Sequence, residues 1–238
     1  MSVCVKFAAT HFNTFELVCY RGAIGTLIMA MVCQRKGVSL KTPVAKMHIY
    51  RSFVGVTSLA AWFYAIAKLP LATAMTLNYM SGVWVAAFLV GSTIWLGSFQ
   101  NARRQIPVAL TVVAGFAGVV MTLRPTFEQN QIAAGLIGVA SGMIAAMAYL
   151  QVAALGKVGE PVERTVFYFS LGAAVAGGLS MLFFGLSEWD GTSALWLIPV
   201  GILAVLGQWC MTQAYAGGAT LVVANLQYAG IVFSALFG

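Results

Sequence analysis

Apolar residues run through this chain in long blocks that do not alternate with polar ones, and short polar connectors separate the blocks. A bilayer core requires about 20 mostly apolar residues per helix. By that length the sequence predicts eight spans, near Phe15–Cys33, Ile49–Ala67, Ala72–Leu96, Ile106–Leu123, Ile132–Leu155, Val166–Leu186, Ala194–Tyr215 and Thr220–Phe237. The leading stretch Ser2–Thr10 is apolar but covers only half a span.

These blocks predict an all-α integral membrane protein, a multi-span helical bundle. Backbone groups in lipid must be hydrogen-bonded within the protein, which leaves helices or closed barrels, and long blocks without alternation exclude a barrel. Small residues at four-residue spacing let neighbouring helices approach closely. Two such stripes occur, at Ala134, Gly138, Gly142 and Ala146 and at Ala173 and Gly177. We interpret both as packing features.

Composition supports a lipid environment. Hydrophobic residues make up 61% of the chain and charged residues 8%, and the mean hydropathy is +0.89, whereas a soluble domain carries about 25% charged residues. The net charge of +7 comes from Lys and Arg clustered beside the spans, which the positive-inside rule predicts. The charge therefore indicates a bilayer partner and excludes a nucleic-acid partner.

Basic residues also predict the orientation. Alternate connectors are basic, and these hold Arg35, Lys36, Lys41 and Lys46, then Arg103 and Arg104, then Lys157 and Arg164. The other connectors hold Lys68, then Arg124 with Glu128, then Glu188 with Asp190. The basic side should face the cytoplasm, so we expect a multi-pass protein of a bacterial cytoplasmic (inner) membrane.

The sequence contains an internal repeat. When the chain is shifted by the separation between Trp62 and Trp209, several residues align with identical residues. The same shift aligns Glu16 with Glu163 and Asn78 with Asn225. Five spans separate equivalent spans, and an odd number of crossings reverses direction, so the predicted halves, residues 1–125 and 132–238, are inverted. Inverted repeats are typical of secondary transporters, whose substrate site lies between the halves.

The repeat also predicts two five-helix units, ten helices in total, of which this sequence contains about nine. Gly91 and Gly238 are equivalent, yet a further span follows Gly91. Only half a helix precedes Glu16, whereas a full span precedes Glu163. We therefore expect a chain trimmed at both ends, with a partial first helix and without the last one.

In order and spacing, several motifs resemble the EamA-type permeases of the drug/metabolite transporter superfamily. They are Lys6, Phe15-Glu16 with Arg21, Arg51 at the start of the third helix, Trp62-Phe63-Tyr64-Ala65, Leu69-Pro70-Leu71-Ala72-Thr73-Ala74, and Gly115-Phe116-Ala117-Gly118 before Leu123-Arg124-Pro125. The resemblance covers essentially the whole chain and implies two copies of a five-helix unit. Ser81-Gly82 and Ala229-Gly230 replace the Pro found in many such permeases, so the resemblance does not identify the substrate.

Polar and aromatic residues inside the spans are the candidates for a substrate cavity, since polar groups in lipid are costly. The candidates are Lys6, Arg21, Trp62, Asn78, Tyr79, Gln208, Trp209, Asn225 and Tyr228. For Asn78 and Asn225, an interhelical hydrogen bond is the alternative role. Arg21 lies about two turns inside its span and could instead pair with Glu16 or a backbone carbonyl. For the aromatic candidates the alternative is core packing.

These features predict a secondary transporter, a permease that moves a small polar or amphipathic metabolite or drug by alternating access. All six acidic residues lie at span ends or in connectors, so we expect facilitated diffusion, exchange or another coupling without a buried acid. An inactive, scaffold-like fragment is the alternative. An intramembrane enzyme lacks the motifs it needs, and the four cysteines lack metal-ligand spacing, so we expect no catalytic residue, metal or cofactor. A homodimer is compatible with the sequence.

Overall fold

The computed structural model describes residues 1–97, 99–124, 131–188 and 191–230, and these residues form helices joined by short connectors. In chain order the helices are α1 Ser2–Ala8, α2 Thr14–Arg35, α3 Ala45–Lys68, α4 Leu71–Trp95, α5 Phe99–Leu123, α6 Ile132–Lys157, α7 Val162–Phe184, α8 Gly191–Ala194, α9 Leu197–Gly217 and α10 Thr220–Leu226. A 3₁₀ turn, Gln227–Ala229, follows α10. The predicted all-α membrane fold is confirmed, whereas Glu128, Asp190 and the predicted span beyond residue 230 lie outside the described residues.

Within the described residues, six helices have the length and apolar composition to cross a membrane: α2, α4, α6, α7, α9 and the Arg103–Met121 part of α5. Helix α3 is 24 residues long but carries Lys46, Arg51 and Lys68. The predicted seventh span began too early, because Ala194 ends the separate single turn α8 and α9 begins at Leu197.

Large apolar side chains cover the outer surface of the bundle. Leu27 is 66% exposed, Phe53 71% and Phe183 85%, and together with many similar residues they form an apolar surface far larger than a soluble monomer exposes. The surface suits contact with acyl chains. Of the cysteines, Cys33 is buried, whereas Cys210 on α9 is exposed.

Helix α2 begins at a capping box. The side chain of Asn13 accepts hydrogen bonds from the backbone N–H groups of Phe15 and Glu16, and Glu16 accepts one from the backbone of Asn13 at 2.7 Å. Capping satisfies N–H groups that a helix start leaves free. The start of α2 is therefore held in one position, from which the rest of the helix enters the bundle.

Helices α2 and α7 pack against each other over most of their length through small residues. A Cβ atom at Gly177 would lie 2.6 Å from the backbone nitrogen of Cys19, and one at Gly25 would lie 2.7 Å from Ser170 Oγ. The stripe on α6 packs in the same way on α4, because a Cβ at Gly142 would lie 2.8 Å from the carbonyl oxygen of Leu77. The predicted packing role of both stripes is confirmed.

Candidate functional site

A cavity of about 250 Å³ lies inside the bundle, between the helices of both predicted halves. Helices α2, α3 and α4 contribute Arg21, Arg51 and Asn78, and helices α7 and α9 contribute Phe169 and Gln208. None of the described residues that line the cavity is an Asp or a Glu. The cavity therefore combines polar donors with apolar walls and carries a net positive charge. Its volume lies just below the roughly 300–1,000 Å³ of pockets for drug-sized ligands, so it suits a smaller molecule.

Arg21 reaches the cavity from the interior of α2. It follows the start of the helix at Thr14 by seven residues, or roughly 10 Å along the helix axis at 1.5 Å per residue, and it is only 7% exposed. Its Nε–H group has no hydrogen-bond partner in the described part of the chain. A pairing with Glu16, the alternative from sequence, is absent among the described residues, because that carboxylate binds the backbone of Asn13 and Ser187 instead.

Arg51 enters the same cavity from α3 and is 3% exposed. Its guanidinium carbon lies 4.3 Å from the centroid of the Phe169 ring, and that of Arg21 lies 5.4 Å from the same centroid. A Cβ at Gly55 would collide with Arg51 Nη1, so the glycine provides the space in which this guanidinium lies. Among the described residues, Nε and Nη1 of Arg51 have no acceptor.

The two arginines are incompletely compensated. A cation–π contact contributes about 0.5–2 kcal/mol, whereas removal of an ion from water costs several kcal/mol. No carboxylate of the described residues lies within salt-bridge distance of either guanidinium. Positive charge and unused N–H donors are therefore available to whatever enters the cavity.

Further cavity walls come from Trp62, Asn78, Gln208 and Tyr149. The indole N–H of Trp62 is buried and without a partner among the described residues, and the ring of Tyr149 stacks on that of Tyr215 with centroids 5.1 Å apart. The structure thus brings together four of the residues predicted from sequence, Arg21, Trp62, Asn78 and Gln208. It adds Arg51, Tyr149 and Phe169, which sequence reasoning did not propose for the site.

Two of the predicted site residues make their contacts outside the cavity. Lys6 Nζ donates hydrogen bonds of 2.7 Å to the backbone oxygens of Ile66 and Leu69, where α3 ends and its carbonyls lack helical partners. The ring of Trp209 lies 5.1 Å from Lys36 Nζ. Lys6 therefore caps a helix, and Trp209 lies beside a basic connector; neither residue lines the cavity.

The remaining three predicted residues lie in a second cluster, between α4, α5 and α10. The rings of Tyr79 and Tyr228 make an edge contact with centroids 6.1 Å apart. Asn225 Nδ2 donates a hydrogen bond to Thr111 Oγ1 at 3.2 Å. This is an interhelical hydrogen bond, the alternative role predicted for Asn225 from the sequence. Asn78 and Asn225, equivalent in the predicted repeat, therefore lie in different surroundings.

At the end of the bundle where α2 finishes, a buried polar cluster surrounds Glu160. Its carboxylate accepts hydrogen bonds from Thr42 Oγ1 at 2.8 Å and Arg164 Nη1 at 3.0 Å, and it lies 3.3 Å from His48 Nε2. Burial disfavours the ionised carboxylate, but the hydrogen bonds from Thr42 and His48 and the charge of Arg164 outweigh this effect and lower the pKa of Glu160. The cluster joins the connector after α2 to the connector before α7.

Known transporters are similar to this chain over its whole length. The pseudopaline exporter CntI of Pseudomonas aeruginosa is 30% identical over 242 residues, which cover 100% of this chain and 81% of the exporter. An uncharacterized transporter of Helicobacter pylori is 27% identical over 247 residues, covering 100% of this chain and 80% of that protein. A riboflavin transporter of Vibrio cholerae is 25% identical over 244 residues, covering 98% and 77%.

A search against protein-family models found no match. One crystal structure shares the fold, with a TM-score of 0.77 at 20% sequence identity, covering 98% of this chain and 81% of that one. The apolar helices and the transporter relatives agree on a membrane protein that transports small molecules. The chain is therefore a multi-span membrane transporter, and it belongs to the family that includes the pseudopaline exporter of Pseudomonas aeruginosa.

Proposed function

We propose that this transporter is an alternating-access permease of the EamA type and that the 250 Å³ cavity is its substrate site. The main support for the proposal is that helices of both predicted halves form the walls of the cavity. Arg21, Arg51 and Asn78 come from the first predicted half, and Phe169 and Gln208 come from the second. Rocking of two halves against each other exposes a site between them to each side in turn.

The packing of α2 against α7 supports an inverted relation of the halves. Glu16 at the start of α2 accepts hydrogen bonds from Ser187 just beyond the end of α7. Glu163 at the start of α7 pairs with Lys36 at the end of α2, at 2.6 Å. The two helices are therefore antiparallel, and the two glutamates, equivalent in the predicted repeat, make corresponding contacts at opposite ends of the pair.

The basic connectors should face the cytoplasm, which would place the Glu160 cluster on the cytoplasmic side and Glu188 on the other. The acids with described positions lie at helix ends or in connectors, so the proposed permease needs no proton relay through its core. Uptake into vesicles of the purified protein should continue without a pH gradient. Transport that stops strictly when the gradient is removed would exclude this coupling.

The proposed function is tested by an untargeted comparison of metabolites inside and outside cells that express the chain. We expect at least one small polar or amphipathic metabolite to change its distribution. Asn78→Ala should abolish most of the change while its level in the membrane stays normal, because Asn78 offers an amide donor and acceptor to the cavity. An unchanged metabolite profile in cells with normal membrane levels would overturn the proposal.

A further inference from the structure

Arg21 and Arg51 form a pair of buried cations that face one cavity. Both guanidinium carbons lie within 5.4 Å of the centroid of the Phe169 ring, on residues that are 7% and 3% exposed. Ionisable groups inside a membrane bundle are costly and usually mark a substrate path. A structural role would pair each arginine with a carboxylate or with backbone carbonyls.

Such pairing is missing among the described residues. Arg21 Nε and the Nε and Nη1 of Arg51 have no acceptor, and the described lining contains no Asp or Glu. The nearest compensation is the face of Phe169, which attracts a cation but accepts no conventional hydrogen bond. Two positive charges and at least three free N–H donors therefore remain for an anion.

From this geometry we infer that the transported molecule carries a carboxylate that binds between Arg21 and Arg51. The inference rests on the proposed function and specifies its substrate class. The planar guanidinium offers two parallel N–H donors that match the two oxygens of a carboxylate. An organic acid fits better than an inorganic anion, because Trp62 and Phe169 supply apolar walls and the indole N–H of Trp62 is a further unused donor.

The test measures binding to the purified full chain by thermal unfolding, with benzoate and its neutral amide benzamide as probes. The probes share one shape and differ in charge. We expect benzoate to raise the unfolding temperature of the wild-type protein and benzamide to raise it much less. Equal shifts, or no shift with either probe, would overturn the inference without any need for a variant.

Variants then locate the site. Arg21→Gln and Arg51→Gln should each weaken benzoate binding about tenfold to a hundredfold, the loss expected for one charge-assisted hydrogen bond. Arg51→Lys keeps the charge and loses the two-pronged geometry, so its binding should be intermediate. Arg104→Gln is the matched control, because Arg104 is exposed on α5 and outside the cavity. If Arg21→Gln and Arg51→Gln both bind benzoate with wild-type affinity, the assignment of the carboxylate site to these two arginines is refuted.

A third arm uses inorganic phosphate as the probe. Stabilisation by phosphate and not by benzoate would replace the carboxylate with a phosphate group and so overturn the stated class. The metabolite comparison separates this inference from the proposed function. If a redistributed metabolite is neutral or cationic, transport stands and the carboxylate site falls. If benzoate binds and no metabolite moves, the anion site stands and the proposed function falls.

Discussion

Replacement of Gly177 by alanine should separate α2 from α7. The added Cβ would lie 2.6 Å from the backbone nitrogen of Cys19 and 2.8 Å from the backbone oxygen of Phe15. Neither atom can rotate away, as the end of a flexible side chain could. Because unstrained contacts need about 3.5 Å, the two helices must part by roughly 0.9 Å at this point.

The size of the effect follows from two opposing contributions. An extra methyl group in a closely packed interior costs about 1–3 kcal/mol, and alanine in place of glycine favours a helix by up to about 1 kcal/mol. The net loss for Gly177→Ala is therefore about 0–2 kcal/mol in the free energy of unfolding, with a central value of about 1 kcal/mol. For a chain of this size, a loss of about 1 kcal/mol lowers the melting temperature by roughly 2–4 °C.

Gly178→Ala is the matched control on the same helix. A Cβ at Gly178 would lie 3.7 Å from Cys19 Sγ, an ordinary contact, so this variant should be as stable as the wild type or slightly more stable. Thermal unfolding of the purified proteins, followed by tryptophan fluorescence, compares the two. If Gly177→Ala unfolds at the temperature of Gly178→Ala or above it, the close backbone contact between α2 and α7 is refuted.

Three further predictions concern single residues. Asn225→Ala should reduce transport less than Asn78→Ala, since Asn225 binds Thr111 outside the cavity; equal losses in a transport assay would contradict this. Lys6→Met should lower the melting temperature, because it leaves the end of α3 uncapped, and should leave benzoate affinity unchanged; weaker benzoate binding would place Lys6 in the site. Glu160→Gln should remove stability above about pH 4.3, the ordinary pKa of a glutamate. Because the folded-state pKa of Glu160 is lowered, wild-type melting temperatures should fall as the pH drops from that value through the folded pKa, and a fall of equal size in Glu160→Gln would refute the role of this carboxylate.

The positions of the helices could be predicted from sequence because the membrane fixes their length and composition. Ile132 and Thr220 are predicted and observed helix starts, and the predicted start of the first full span, Phe15, differs from the observed Thr14 by one residue. Helix ends extend further than the apolar blocks, as at Lys157, because polar residues continue a helix beyond the hydrocarbon core. Apolar length alone does not show where such a continuation stops.

The cavity could be predicted only in part. The sequence predicts Arg21 as a site candidate because it interrupts an apolar run, whereas Arg51 lies at the start of its predicted helix, where a basic residue is common. A charged residue seven positions into a helix can face lipid, solvent or a cavity, and the neighbouring helices decide which. Phe169 and Tyr149 carry no sequence signal that separates a cavity wall from ordinary packing.

Contacts between segments that are far apart in the chain could not be predicted from the sequence. Glu160 binds Thr42 and lies beside His48, residues more than a hundred positions earlier, and no local sequence pattern links positions that far apart. The predicted repeat singles out Asn225 as a polar residue within a predicted span. It did not reveal that Thr111 on α5 lies near enough to bind it.

Access to the cavity from both sides of the membrane is the most direct test of alternating access. A cysteine in place of Ala148, which lines the cavity but offers no polar side chain to it, can be introduced into a variant whose four native cysteines are replaced. It can then be labelled in oriented vesicles with a membrane-impermeant thiol reagent added to one face at a time. We predict labelling from either face, because a site between two rocking halves opens to each side in turn. Labelling from one face alone, under every condition that permits transport, would contradict the account.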